Sequence, residues 1–280
     1  GDAAIAHARD GEKGGKGKGK GKGNGTGKDR AGLKNGYHID LGYHPFVSVH
    51  VAAYNEKRVI ERLLVALSQL EYPEYEVIVV DDSTDDSKQI LERWVNTPRF
   101  KILHRNSRAG YKGGALREAL KVMDPRAEYV VIFDADSVPF PDALDRFLPH
   151  FYYENGKNGN GHSAPDGVQN GHTPHAYKRR ENVAAVQSYQ WHVLNKSESW
   201  LTEAVRAEYA GSYMVERPFQ DAVGSLKMVA GTAYMIRADL LREVGWGTSI
   251  TEDWELTLKL YARGYKVAYT PWAETPAECV

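Results

Sequence analysis

Short apolar runs alternate along the chain with stretches in which apolar residues recur every three or four positions. Phe46–Val51, Glu76–Val80, Phe100–Leu103 and Tyr129–Phe133 predict strands. The nearly unbroken apolar character of EVIVV and YVVIF suits strands buried on both faces. Between them Glu56–Leu70 predicts a helix, with Val59, Leu63, Leu64, Leu67 and Leu70 on one face. Ser87–Val95, Lys112–Met123 and Pro141–Phe151 predict three more, the last with proline in its first turn. Further on, Val183–Tyr189, Met228–Ile236 and Tyr265–Tyr269 read as strands, and Ser197–Val215 and Glu252–Ala262 as helices, with Gly264 capping the latter. This order predicts an α/β fold, a mostly parallel central sheet flanked by helices with right-handed crossovers.

Two stretches break the pattern. Residues 11–28 are a glycine and lysine repeat that has nothing to bury, so residues 1–42 are expected to be a flexible tail or linker, with attachment to an anionic membrane surface as the alternative. The repeat neither follows a strand nor opens a helix, so it is not a phosphate-binding loop. Within the expected catalytic domain, residues 43–280, a segment at about 155–180 is rich in Gly, Asn, Pro and His and reads as a surface insertion. Its His162, His172 and His175 are irregularly spaced, which favours a solvated loop over a metal site.

Charge adds little: 36 basic residues against 37 acidic ones give no reason to expect a nucleic-acid partner. The one cysteine, Cys279, excludes an intrachain disulfide and a multi-cysteine metal site. No apolar run approaches the ~18 residues of a membrane span, so the chain as given is expected to be soluble.

In an open parallel sheet, ligands bind beyond the carboxyl ends of the strands. Asn55 and Glu56 follow the first strand, Asp81 and Asp82 the second, and Asp134 and Asp136 the fourth, so carboxylates from three strands converge on one rim. Asp134-Ala135-Asp136 suits a hard divalent ion, Mg²⁺ or Mn²⁺, that shares its ligands with phosphate; taken alone it reads first as an acidic turn or cap. Asp81-Asp82-Ser83-Thr84 is either a second such turn, with Asp86 capping the next helix, or an acceptor for a nucleobase N–H or ribose hydroxyl. The run from Arg105 to Gly114 brings cations and free amides to a helix N-terminus, an arrangement that suits a diphosphate as well as it suits a tight surface turn. Thr251 can cap the helix that opens with Glu252 and Asp253; beside a bound sugar donor, Asp253 could also serve as a general base.

Four blocks, Tyr54-Asn55-Glu56, Asp81-Asp82-Ser83, Asp134-Ala135-Asp136 and Thr251-Glu252-Asp253, together with Arg108–Leu116, resemble the inverting family 2 glycosyltransferases of the GT-A fold, and in particular the membrane-bound cellulose synthase and glucomannan synthase branch. The resemblance runs from about Pro45 to the end, apart from the insertion. It implies transfer of a sugar, with inversion, from a nucleoside diphosphate sugar, UDP- or GDP-linked, to a glycan or lipid-linked acceptor. It also implies roles. Tyr54 and Glu56 line the base and ribose pocket, Asp81 and Asp82 read the nucleoside, and Lys112 approaches the diphosphate. Asp134 and Asp136 form the nucleotide–metal centre, with Asp136 the stronger metal ligand, and Asp253 is the catalytic base. Gln187 and Trp191, Gly231 and Thr232, and Glu252 and Trp254 fall on the acceptor side, although Trp191 and Trp254 read equally well as packing residues.

The branch usually carries a later Gln-x-x-Arg-Trp motif, which is missing; the chain is expected to stop short of it and of flanking membrane helices, the full-length protein working at the cytoplasmic face of a membrane. Single-sugar transfer to a lipid or lipid phosphate is the alternative within this reading. Outside it, a nucleotidyltransferase or a non-catalytic nucleotide-sugar-binding domain are the rivals. A dinucleotide-dependent oxidoreductase is disfavoured because Ala-Ala-Tyr-Asn-Glu, not a glycine fingerprint, follows the first strand.

Overall fold

The two most apolar runs of the sequence become interior strands of a seven-stranded sheet. A computed structural model describes residues 39–154 and 177–279; the glycine and lysine repeat and the histidines of the insertion lie outside the described residues. The first half contains β1 (Val47–Ala53), α1 (Ile60–Ser68), β2 (Tyr75–Asp81), α2 (Ser87–Glu92), β3 (Phe100–His104), α3 (Tyr111–Val122) and β4 (Tyr129–Phe133). After α4 (Ala143–Phe147) and a 3₁₀ turn come the short β5 (Tyr152–Glu154) and β6 (Tyr177–Arg179), which pair with each other. The second half contains β7 (Val183–Gln187), β8 (Gln190–His192), α5 (Trp200–Gly211), α6 (Arg217–Ala222), β9 (Tyr234–Arg237), α7 (Ala238–Val244), α8 (Glu252–Ala262), β10 (Lys266–Tyr269) and β11 (Thr275–Ala277).

The main sheet has the order β10-β7-β9-β4-β1-β2-β3. Pairings among β1 to β4 are parallel, as is β10 with β7; β9 alone runs against its neighbours β4 and β7. Every residue of β2 and β4 is buried, because helices cover both faces. On one face, Ile60, Leu63, Leu64 and Leu67 of α1 pack with Val49, Val51, Val77 and Val79. On the other, Ala115, Leu116 and Ala119 of α3 pack with Ile78, Val80, Val130 and Ile132. Each of these Val, Leu and Ile side chains contributes roughly 1.5–3 kcal/mol relative to exposure. Ile39 and Leu41, which the sequence assigns to the tail, are buried in the first of these clusters.

Several boundaries differ from the sequence expectation. The Glu56 carbonyl accepts the amides of Val59 and Ile60 in a turn, so α1 starts later than Glu56. The helix expected to stop at Val215 passes through a π-helical stretch, Ser212–Glu216, into α6, with Pro218 admitted in α6's first turn. The strand expected over Met228–Ile236 begins only at Tyr234, because Gly231 and Ala233 take the left-handed backbone (φ 71° and 53°) and the segment closes into a loop. Neither expected side-chain cap forms. Asp85, not Asp86, accepts the Ser87 amide on its Oδ1 at 3.0 Å, and the Thr251 hydroxyl lies 3.0 Å from that of Ser249.

Candidate active site

Ala53, Asp81 and Phe133 end three neighbouring parallel strands, and the residues that follow them open one cleft of about 520 Å³. Tyr54, Glu56, Asp82, Lys112, Asp134 and Asp136 line it, as the sequence predicts. Gln190, His192, Tyr209 and Glu278 close the opposite side. Those four were not anticipated. Gln190 and His192 flank Trp191 on β8, a strand too short for a period-2 signal, and Glu278 and Tyr209 reach the cleft only through tertiary packing.

The loops of the rim are fixed by side-chain bonds. Asn55, in the left-handed region at φ 58°, donates its amide to Ser83 Oγ at 2.8 Å and accepts the Thr84 amide at 2.9 Å, which latches the first loop to the second. Arg105 grips both oxygens of Asp82, at 2.6 Å through Nε and 2.5 Å through Nη2, and donates to the Ala109 and Tyr111 carbonyls at 3.1 and 3.2 Å. It therefore ties the Arg108–Lys112 loop to the end of β2. Removing one member of such a largely buried pair typically costs about 3–5 kcal/mol. A Cβ on Gly114 would run into the Ala109 carbonyl, so the close seating of this loop on α3 requires glycine there.

Asp81 differs from the expectation. It is almost fully buried, contributes nothing to the cleft wall, and has one oxygen against His104 Nδ1 at 2.8 Å and the other on the Ser83 amide at 3.0 Å. Of the two aspartates only Asp82 faces the cleft.

Lys112 sits where the two halves of the chain meet. Its ammonium pairs with Asp134, donates to the Gly231 carbonyl at 2.8 Å and lies 4.0 Å from Glu252. Burial works against its charge, but Asp134, then Glu252 and Asp253, outweigh burial and hold its pKa above the usual lysine value. Burial raises the Glu252 pKa despite Lys112. Thr232 accepts the Asp134 amide on its hydroxyl at 2.8 Å. Asp253 is not in the cleft wall; its Oδ2 and the Lys112 ammonium lie 3.5 and 3.6 Å from where a Cβ on Gly231 would stand.

Gln187 lies deeper than an acceptor contact would. It is fully buried, its Nε2 donates to the carbonyls of Ser188, Thr232 and Ala233, and its Oε1 accepts the Ala230 amide. Trp191 packs against the cluster of Tyr189, Tyr213 and Tyr269, and Trp254 is 44% exposed outside the cleft wall.

The donor set fits a hard divalent ion. Burial, then the neighbouring Asp134, pushes the Asp136 pKa up to about 6, and burial followed by Asp134 also raises that of Glu56. Carboxylates that raise one another in this way are relieved by a cation. Among the described residues no three His, Cys, Asp or Glu side chains form a cage. An ion that takes one or two carboxylates completes its shell with phosphate oxygens and water.

The chain matches the model of the family described as glycosyl transferase family 2 over residues 48–215, and it belongs to that family. It is a glycosyltransferase domain of the GT-A fold. It is similar to glucomannan 4-beta-mannosyltransferase 7 of Arabidopsis thaliana, 31% identical over 240 residues that make up 81% of this chain and 38% of that protein. Probable glucomannan 4-beta-mannosyltransferase 7 of Oryza sativa subsp. japonica is 30% identical, over 81% of this chain and 36% of that protein. The chain thus spans less than half the length of these relatives. Among solved structures, the mannosyltransferase PcManGT from Pyrobaculum calidifontis, in complex with GDP-Man and Mn²⁺, shares the fold with a TM-score of 0.59 and 23% identity, over 85% of this chain and 58% of that one. TarS residues 1–349 from S. aureus, in complex with UDP, give 0.56 and 20%, over 83% and 60%.

Proposed function

We propose that this domain transfers a sugar, with inversion, from a nucleoside diphosphate sugar to a hydroxyl of a glycan acceptor. The observation that carries the reading is the acidic cleft at the carboxyl ends of β1, β2 and β4, with Lys112 set among its carboxylates. Tyr54, Glu56 and Asp82 bind the nucleoside, and Asp136 and Asp134 hold the divalent ion. When bound, that ion offsets the charge of the diphosphate. Lys112 adds a second positive charge there, which favours departure of the nucleoside diphosphate. Asp253 takes the proton of the acceptor hydroxyl as that oxygen attacks the anomeric carbon from the face opposite the leaving group. One displacement requires no enzyme nucleophile.

The similarity to glucomannan mannosyltransferases favours GDP-mannose as donor and a β-linked glycan as acceptor. Among the described residues no helix is long and apolar enough to cross a membrane; we place the domain at the cytoplasmic face of a membrane in the full-length protein. The test is calorimetric titration with UDP, GDP, UDP-glucose and GDP-mannose, with Mn²⁺ and then with chelator. Metal-dependent binding of one nucleotide is expected, and no binding to any of the four refutes the reading for this chain.

A further inference from the structure

Two cations line the cleft. Lys112 is paired with Asp134, whereas Arg108 makes no ion pair among the described residues. Its guanidinium instead lies over the ring of Tyr54, 3.6 Å from the centroid, and 5.4 Å from that of Tyr111. At 3.6 Å the two planes are in contact, so no other flat group fits between them. Tyr54 is the aromatic ring at the carboxyl end of β1, on the same wall as Glu56 and Asp82. A nucleobase stacking on the face of that ring which Arg108 covers must first displace it.

What moves Arg108 follows from charge. The wall carries Glu56, Asp82, Asp134, Asp136 and Glu278 against the two cations. An uncharged nucleoside offers a guanidinium only neutral acceptors, whereas a diphosphate brings an anion that Arg108 can bind through two parallel, charge-assisted N–H donors. Arg108 is within one turn of Lys112: its carbonyl accepts the Tyr111 amide at 2.9 Å, and Lys112 is the next residue. Anchoring of Arg105 to Asp82 leaves the Arg108 side chain free to swing while its backbone stays in place.

We propose that Arg108 is a diphosphate ligand that covers the nucleobase-stacking face of Tyr54 until a nucleoside diphosphate draws it away. The proposal rests on the donor reading above and deepens it: the cleft admits the base more readily together with its phosphates than without them. Base and diphosphate then oppose each other in their dependence on this one side chain.

The experiment compares wild type with Arg108→Ala, titrating uridine, UDP, guanosine and GDP in the presence of Mn²⁺. Arg108 is exposed, so the variant is expected to fold. Loss of the cation–π cover should tighten nucleoside binding by about threefold, while loss of a charge-assisted contact should weaken diphosphate binding by about tenfold. In parallel, the Nε–Hε resonance of Arg108, assigned by its disappearance in the variant, should show a ring-current shift in the free protein and lose it on saturation with UDP or GDP. If both ligand types weaken together, if diphosphate affinity is unchanged, or if the resonance stays put at saturation, Arg108 does not move as proposed and the donor reading stands. If wild type binds none of the nucleotides, the donor reading falls and this proposal with it.

Discussion

The Gln187 side chain accepts the Ala230 amide at 2.8 Å, and that single contact begins a chain of bonds reaching the centre of the cleft. The same carboxamide donates to the Thr232 and Ala233 carbonyls at 3.0 and 3.1 Å. The loop it shapes gives Lys112 its carbonyl at Gly231 and gives the Asp134 amide its acceptor at Thr232. Gln187 is thus a support for the site, positioned beneath it.

Replacing Gln187 by Leu, nearly isosteric but unable to hydrogen-bond, leaves buried backbone groups unsatisfied. A loss of more than about 2 kcal/mol is expected, measurable by urea unfolding. Faster amide exchange at Ala230 should accompany it. Unchanged stability and exchange would mean that the loop holds its shape without the side chain.

Lys112→Ala should weaken binding of UDP or GDP by roughly tenfold or more while changing nucleoside affinity little, because the ammonium is held by Asp134 and the Gly231 carbonyl and its charge acts on the diphosphate. Calorimetry with matched nucleoside and diphosphate pairs reads the difference directly. Equal losses for both would place Lys112 outside the phosphate site.

Asp253→Asn should keep donor binding within about twofold and reduce transfer in the full-length protein by at least ~10²-fold, the usual scale of general-base contributions. The measurement is sugar transfer under saturating donor, alongside the donor dissociation constant. Transfer at the wild-type rate would remove Asp253 as the base.

His50 makes stability depend on acidity. Ser48 Oγ donates to Glu76 at 2.8 Å, so His50 Nε2 is the donor in its 3.0 Å contact with Ser48, and Nδ1 is left bare and buried without a partner. Burial, then Lys101, pushes the His50 pKa down to about 3. Because the folded value lies below the ordinary one, the unfolded chain binds the extra proton. His50 therefore withdraws stability as pH falls below about 6.5, and none above it. The stability difference between wild type and His50→Gln should narrow by about 1.4 kcal/mol between pH 7.5 and 5.5. Denaturant unfolding at the two pH values measures it, and a constant difference would mean that His50 keeps a near-normal pKa when folded.

Much of this architecture is legible from local pattern. The strands β1, β2 and β4 are continuous apolar runs, and the acids that follow them need only the rule that parallel strands end on a common rim. Where the reading departs, the determinants are long-range. Met228 to Ala233 has the composition of a strand, yet Gln187, more than 40 residues earlier, takes its backbone groups for a loop. Asp81 and Asp82 look equivalent in sequence; the strand's alternation sends one toward His104 and the other toward Arg105 and the cleft. Gln190 and His192 sit on a strand that pairs with β11 from the far end of the chain, which no local signal announces. The capping errors are of another kind: the Asp85 carboxylate takes the Ser87 amide in place of Asp86, and the Asp253 carboxylate takes the Trp254 amide in place of Thr251.

The reversed strand β9 also bears on how the molecule can be assembled. Strands β1 to β4 are contiguous in the chain and satisfy one another, so the nucleotide half contains all its own pairings. The other half has no such independence: β10 attaches to β7, β7 to β9, and β9 to the free edge of β4. Damage at β4 therefore removes the template for everything beyond it, whereas damage at β10 is confined to the margin. A C-terminal truncation that removes β10 should accordingly cost only the margin, whereas one that reaches β9 should release β7 along with it and leave the nucleotide half.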